Sequence, residues 1–476
     1  MEQGAAGVQA GWGDLLSGAN ATRSFALAGG VALHAVNVHI TTTILPTVVR
    51  DIGGLDLYAW NTTLFVVASV LGSALSVKLM EFAGPKGSYA LAALLFAAGA
   101  AMCAWAGTMP MMLIGRLVQG IGGGFLFALT YAMIRLVFDE RLWPRAMALV
   151  SGMWGVATLV GPAVGGAFAQ WGAWRGAFWS VALLALLFAL LASLVLPGRD
   201  RQASASGKAA IPLAQLVLLA LAVIAISAGS TSAELARNAL GIVAALVLAM
   251  LLVAVEARSR QKLLPAGAFR FRSTIAMLYA TMSLLILTVT GGEIFVPLFL
   301  QTLHRQSPLA AGYLAALVAA GWTVGSIASS GTAGRTVERA IMAGPLLGLA
   351  GMAGLAMFIP GNSTGTWWAL APICLALAMI GVGVGLAWPH LLTRVLKAVE
   401  PHERALAGAS ITTVQLCATA AGAALAGMTA NAGGLIDPGG LDGTARAASW
   451  LFWTFALAPL LGLVAARRNL SIGRQS

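Results

Sequence analysis

Charge is what this 476-residue chain has least of. Asp, Glu, Lys and Arg together supply 9% of it, too few to solvate the surface of a soluble protein of this length. Cysteine is scarce as well. The three present, Cys103, Cys374 and Cys417, all fall inside apolar runs, where they act as small hydrophobes, so neither a disulfide framework nor a thiolate metal site is expected. No Gly-x-x-x-x-Gly-Lys-Ser/Thr stretch is present, which argues against ATP as the driving force for this chain. Neither a His-x-x-His cluster nor a Ser/His/Asp set lies at a plausible depth, so a membrane-embedded enzyme is a remote reading. Residues 1–23 carry no basic cluster ahead of an apolar core and do not resemble a cleaved signal peptide.

Apolar sequence fills the space that charge leaves. Hydrophobic residues make up 59% and the mean hydropathy is +0.87, the composition of a polytopic membrane protein. The net charge of +12 does not point to nucleic acid, because the basic residues sit in short loops rather than on one face. Runs of spanning length fall near 24–46, 57–80, 88–107, 110–136, 147–168 and 177–196. After a polar linker at 197–210 come 211–229 and 238–256, then 273–300, 309–331, 339–359, 366–392, 405–430 and 447–466. The expected fold is an all-α integral membrane protein of about fourteen transmembrane helices. The expected division is a segment 1–23, a six-helix bundle over 24–196, a linker with two extra helices over 197–272, a second six-helix bundle over 273–467 and a tail 468–476.

On that topology 22 of the 28 Lys and Arg residues lie on one side. Five (Arg50, Arg175, Arg237, Arg305 and Arg446) lie on the other, and Arg116 lies in the membrane. The asymmetry places both termini in the cytoplasm. An internal repeat supports two related halves. Val70-Leu71-Gly72-Ser73 is echoed by Thr323-Val324-Gly325-Ser326, Gly120, Gly122 and Gly124 by Gly381, Gly383 and Gly385, and Arg145 by Arg404.

Two stretches stand out. Arg116-Leu-Val-Gln119-Gly120-Ile-Gly122-Gly123-Gly124 puts an arginine in an apolar run, at roughly 2.5–3.5 kcal/mol if it sits at the helix centre, so it must face protein, water or headgroups. In Gly155-Val-Ala-Thr-Leu-Val-Gly161-Pro162-Ala-Val-Gly165-Gly166 small residues at helical spacing admit a neighbouring backbone, and Pro162 removes a hydrogen bond. In order and spacing these two resemble the fourth- and fifth-helix motifs of the major facilitator superfamily, the second being similar to the signature of its drug:proton antiporters. The resemblance extends to 45–60, which looks like the first external loop of the fourteen-span branch, and to Leu300-Gln301 with Ser307-Pro308 through Gly312. The family's loop between helices two and three survives only in part, as Glu81, Gly84 and Lys86, with Phe82 and Pro85 where arginines are usual. The resemblance implies that this loop latches the cytoplasmic side. An ordinary solvated acid at Glu81 is the alternative.

Glu293 is the one acid well inside an expected span. A carboxyl enclosed by apolar groups favours its neutral form, which suits a proton carrier, and Gly291, Gly292 and Pro297 are placed to break the helix beside it. A hydrogen-bonded structural acid is the alternative. In the first span His34, Asn37 and Thr41 share a helical face, whereas His39 points elsewhere. The resembled branch usually has an acid near Asn37, and here it is absent. Glu293, His34 and His39 are therefore the candidate proton-coupling residues. Asn37, Thr41, Arg116, Gln119, Gln415 and the three in-span tryptophans Trp154, Trp322 and Trp388 are the candidate cavity residues, with core packing as the competing role for the tryptophans. Glu81, Gly84, Lys86, Gly155, Gly161, Pro162, Gly165 and Gly166 are the candidate conformational motifs. The expected function is a monomeric, inner-membrane secondary transporter, not an enzyme. It would exchange protons for a small hydrophobic or amphiphilic compound, need no cofactor or metal and bind no nucleic acid. An uptake symporter on the same fold is the alternative.

Overall fold

Lipid offers backbone N–H and C=O groups no partners, so a chain this apolar must satisfy them within helices. The computed structural model describes residues 11–198, 211–232, 234–270 and 273–472, and among these every regular element is helical. The spans are α1 (Gly18–Ile52), α2 and α3 (one run, Trp60–Trp105, folded back at Gly84), α4 (Met109–Val137), α5 (Trp143–Gln170) and α6 (Trp174–Val195). Then follow α7 (Leu213–Gly229), α8 (Leu235–Arg258), α9 (Thr274–Leu303), α10 (Pro308–Ser329) and α11 (Arg335–Phe358). The last are α12 (Trp367–Lys397), α13 (Leu406–Leu435) and α14 (Gly440–Leu470). Twelve helical runs are long and apolar enough to cross a membrane. Separating α2 from α3 and adding the 17-residue α7 gives fourteen. Most of the linker expected at 197–210 and the end of the expected tail, 473–476, lie outside the described residues, as do 1–10.

The two halves pack alike. In the first, α1 lies on α5, α4 on both α2 and α3, and α3 on α6; in the second, α9 lies on α13, α12 on both α10 and α11, and α11 on α14. Glycine makes the α2–α4 approach possible. A Cβ on Gly120 would strike the Phe65 carbonyl oxygen and come within 2.8 Å of Ala68 Cβ, and one on Gly124 would strike the Ser69 carbonyl. Gly381 and Gly385 are seated the same way on the Val318 and Trp322 carbonyls of α10. The repeated glycines are thus the contact points of repeated helix pairs.

The turn between α2 and α3 is tighter than the sequence suggests. Gly84 takes φ 68°, a conformation open to glycine, and Pro85 follows it. Ser88 Oγ donates to the carbonyls of Gly84 (2.5 Å) and Leu79 (2.9 Å), capping groups the kink leaves exposed. Helix α9 is interrupted where the sequence expected. Its first part ends at Glu293 and its second starts at Val296, with Pro297 at the new N-terminus. Proline lacks the N–H that would pair with the Glu293 carbonyl.

The inserted helices lie outside both halves. Helix α7 packs on α13 and on α2, covering the seam between the halves, and α8 packs on α7. Only 17% of the most apolar window of α8 is buried in protein, which leaves it facing lipid.

We expect Gly120→Ala to lower stability by about 1–3 kcal/mol through overpacking. Gly155→Ala, with nothing within 4 Å of the added methyl, should stay within about 0.5 kcal/mol of wild type. Thermal unfolding of the purified variants in one detergent compares them, and equal losses would contradict this packing scheme.

Candidate functional site

Both described chain ends lie at one face of the bundle, here the near face; Ile52 and Leu303 lie at the opposite, far face. At the far face the two halves are joined. Arg50 Nη2 donates to Gln301 Oε1 (3.1 Å), and Tyr313 Oη donates to the Leu159 carbonyl (3.1 Å). Tyr58 stacks on Phe295 with centroids 4.8 Å apart. Asn431 Nδ2 donates to the Asp56 and Ser230 carbonyls, tying α13 to the α1–α2 turn and to the end of α7. A Cβ on Gly166 would lie 2.5 Å from Leu309 Cα, so α5 and α10 touch backbone to backbone there. Gly161 and Gly165 face His39 and Ile40 of α1, and Gly312 receives Thr43 and Pro162. Toward the near face the seam loosens. The far-face part of α10, Pro308–Ala315, packs on α1 and α5, whereas Leu317–Ser329 barely touches α5. Gly152 and Gly155 have open space beside them, and Trp154 is 36% exposed. Gly155, grouped by sequence with the packing glycines, therefore lines the open side in this conformation.

Beneath the far-face closure lies a chain of buried polar groups. Arg116 Nη1 donates to Gln119 Oε1 (2.6 Å), and Gln119 Nε2 donates to Asn37 Oδ1 (3.0 Å). Arg116 Nε reaches the Asn61 carbonyl (3.3 Å), and its guanidinium lies 4.1 Å from the Phe65 ring centroid. Arg116 sits seven residues into α4, so about 10 Å from that helix's far-face end. Asn37 Nδ2, Thr41 Oγ1, Asn61 Oδ1 and His34 Nδ1 are buried without a hydrogen-bond partner in the structure. The His34 ring packs among Phe65 (5.2 Å), Phe127 (5.6 Å) and Trp154 (6.2 Å).

The second half holds the other candidates. Glu293 is partly exposed, and the preceding Gly292 faces Ile380 and Met352 within the half. Counted along α9 it lies ten residues from Leu303, and Arg116 lies at a comparable remove from the far face on α4. No ion pair joins them; the pairs Lys78–Glu81, Arg141–Asp139, Arg175–Asp51 and His402–Glu400 all stand at exposed positions. Trp322 and Trp388 meet edge to face at 5.2 Å, and Gln415 is partly exposed on α13. Glu81 pairs with Lys78 of its own helix (3.0 Å) at the near face, a solvated contact of small energetic weight. The Lys86 N–H donates to the Pro197 carbonyl at the end of α6 (3.3 Å).

The structure thus brings His34, Asn37, Arg116, Gln119 and Trp154 together, while His39 turns to α5 and Glu293 belongs to the other half. Asn61, Phe65 and Phe127 escaped the sequence reading. Phe127 was within reach, since Arg116, Gln119, Gly123 and Phe127 follow one another at helical spacing along a single face of α4. Asn61 and Phe65 were not, because only tertiary contact aims α2 at Arg116.

A family model described as the Major Facilitator Superfamily matches residues 27–423. A Mycobacterium tuberculosis protein named "Probable multidrug-efflux transporter" is 38% identical, the match covering 96% of this chain and 95% of that protein. "Multidrug resistance protein 3" of Bacillus subtilis is 25% identical over 66% of this chain and 62% of its own. Among solved structures, a D-xylose–proton symporter superposes with a TM-score of 0.63 at 15% identity, covering 94% of this chain and 97% of that one. A bacterial homolog of the lysosomal transporter Spinster, inward-facing and unoccupied, gives a TM-score of 0.64 at 15% identity, covering 96% and 97%. These two establish likeness of fold.

We expect Gln119→Leu and Asn37→Leu each to destabilise by about 1–3 kcal/mol, because each strands a buried partner. The double variant should lose less than their sum by at least about 0.5 kcal/mol. Unfolding of the three variants measures the coupling, and additive losses would contradict the polar chain.

Proposed function

The chain belongs to the Major Facilitator Superfamily, and from that premise we propose that it is a proton-coupled exporter of small hydrophobic or amphiphilic compounds. It works as a monomer by alternating access in the cell (inner) membrane, with the near face in the cytoplasm. The observation that carries the reading is the asymmetric seam, closed at the far face by Gly166 against Leu309 and open at the near face around Gly152 and Gly155. Two repeated bundles packed more closely at the far end than at the near end along α5 and α10 are placed to rock about a midplane site. The multidrug-efflux names of the M. tuberculosis and B. subtilis relatives favour export over uptake. The excess of basic residues at the near face supports its cytoplasmic placement.

Coupling falls to Glu293. It is the acid nearest the centre of the second half, and the helix break after it gives it freedom to face either side as the halves rock. A carboxyl that loads from one compartment and unloads to the other changes charge during the cycle. His34 and His39 are the secondary candidates. Glu81, Gly84 and Lys86 belong to a near-face latch that closes when the seam reverses.

Glu293→Gln keeps size and hydrogen bonding but cannot titrate. In proteoliposomes it should abolish substrate-evoked proton flux while leaving substrate binding within about twofold, under 0.5 kcal/mol. Unchanged flux would remove Glu293 from the mechanism. For topology, Glu234→Cys in the α7–α8 turn should react with an impermeant maleimide from outside the cell only, and labelling solely from the cytoplasm would overturn the fourteen-span orientation.

A further inference from the structure

The interior of the first half holds a cation and no anion. Arg116 is 2% exposed, and its partners, the Gln119 amide, the Asn61 carbonyl and the Phe65 ring, are all neutral. The acids of that half, Asp51, Asp56, Glu81, Asp139 and Glu140, stand at helix ends or in turns. None of the ion pairs among the described residues includes Arg116. Neutral dipoles compensate a buried guanidinium less fully than a carboxylate does. Two further donors stand idle on one face of α1. Asn37 Nδ2 and Thr41 Oγ1 are one turn apart, 0% and 2% exposed, and neither has a partner in the structure. Asn37 is already linked to Arg116 through Gln119. The charge and these two donors therefore favour an acceptor carrying negative charge, while Asn61 Oδ1, also unpaired, can take a donor from the same ligand or a water. Phe65, which lies against Arg116, leads through the His34 ring to the apolar faces of Phe127 and Trp154.

We propose that this buried polar cluster binds the anionic head group, a carboxylate or sulfonate, of an amphiphilic substrate whose apolar body lies along Phe127 and Trp154. The head group pairs with Arg116 and accepts hydrogen bonds from Asn37 Nδ2 and Thr41 Oγ1. An asparagine at position 37 matters here, because an acid there would neutralise Arg116 internally and leave no charge for the ligand. The preferred cargo is then a lipophilic weak acid rather than a lipophilic cation. The inference rests on the reading of this interior as the transport path.

The test uses the full-length protein and three matched probes: 1-naphthylacetate, its methyl ester and a naphthylmethyl-trimethylammonium salt. Binding is measured by equilibrium dialysis in chloride-free buffer and again with chloride added. The carboxylate should bind roughly tenfold or more tighter than the ester or the cation, as expected for a charge-assisted pair. Arg116→Gln should erase that preference, so that carboxylate and ester bind the variant alike, and Arg116→Lys should keep much of it. Equal or tighter binding of the ester or the cation to wild type overturns the proposal, whether or not the variants fold. So does persistence of the preference in a folded Arg116→Gln. Chloride competing with the carboxylate but not the ester supports a head-group site. Chloride instead enhancing ester binding makes the occupant a free inorganic anion and overturns the head-group assignment. Failure of energised vesicles to move any probe counts against export and leaves the binding preference to be judged on the dialysis alone.

Discussion

Hydrocarbon cannot hydrogen-bond, and most of what is specific about this protein lies where the chain nevertheless carries polar side chains into it. In most of the structure the helices answer the constraint by themselves, with Thr and Ser hydroxyls turned back onto the carbonyl four residues earlier, as at Thr43, Thr130 and Thr290. Arg116 cannot be satisfied locally. It needs Gln119 from its own helix, Asn61 and Phe65 from α2 and, through Gln119, Asn37 from α1. That shared network fixes the relation of α1, α2 and α4, and the glycines at 120 and 124 let α2 come close enough to take part.

The same constraint separates what holds each half together from what joins the halves. Within a half, helices meet through backbone-close glycine contacts that a single methyl would block. Between halves the helix pairs α2–α13 and α5–α10 make the seam, and its specific contacts gather toward the far face: a tyrosine on a phenylalanine, single hydrogen bonds from Arg50, Tyr313 and Asn431, and the close approaches of Gly166 to Leu309, Gly312 to Thr43 and Gly427 to Ala59. Each is weak enough to break within a transport cycle, since a net hydrogen bond is worth about 0.5–1.5 kcal/mol. Rigid halves with a fragile seam, tighter at one end, are the mechanical requirement for alternating access.

Much of this was legible in the sequence, for identifiable reasons. Apolar runs marked the spans because lipid imposes length and composition together, and even the short α7 stood out at 211–229. The echo of Gly120 and Gly124 in Gly381 and Gly385 disclosed the repeat, because the packing geometry repeats with it. The break beside Glu293 followed from Pro297. The fit of Glu81, Gly84 and Lys86 to the family's loop between helices two and three implies a loop there, whereas the glycine's positive φ and the Ser88 hydroxyl make it a sharp fold. Tertiary aim was not legible. Nothing in the spacing of α2 places Asn61 and Phe65 on Arg116, and nothing in α5 tells that Gly155 stands in the open while Gly161, Gly165 and Gly166 are packed.

The central claim is that the two halves rock, so that closure passes from the far face to the near face. Spin labels at Trp171 and Arg305 straddle the far end of the structure, and labels at Arg141 and Gly331 straddle the near end. Pulsed electron–electron distance measurements on both pairs in lipid nanodiscs, across a pH step and with a transported compound added, test the claim directly. The account expects a population in which the first distance lengthens while the second shortens. Two distances that stay fixed, or that change in the same direction, would contradict it.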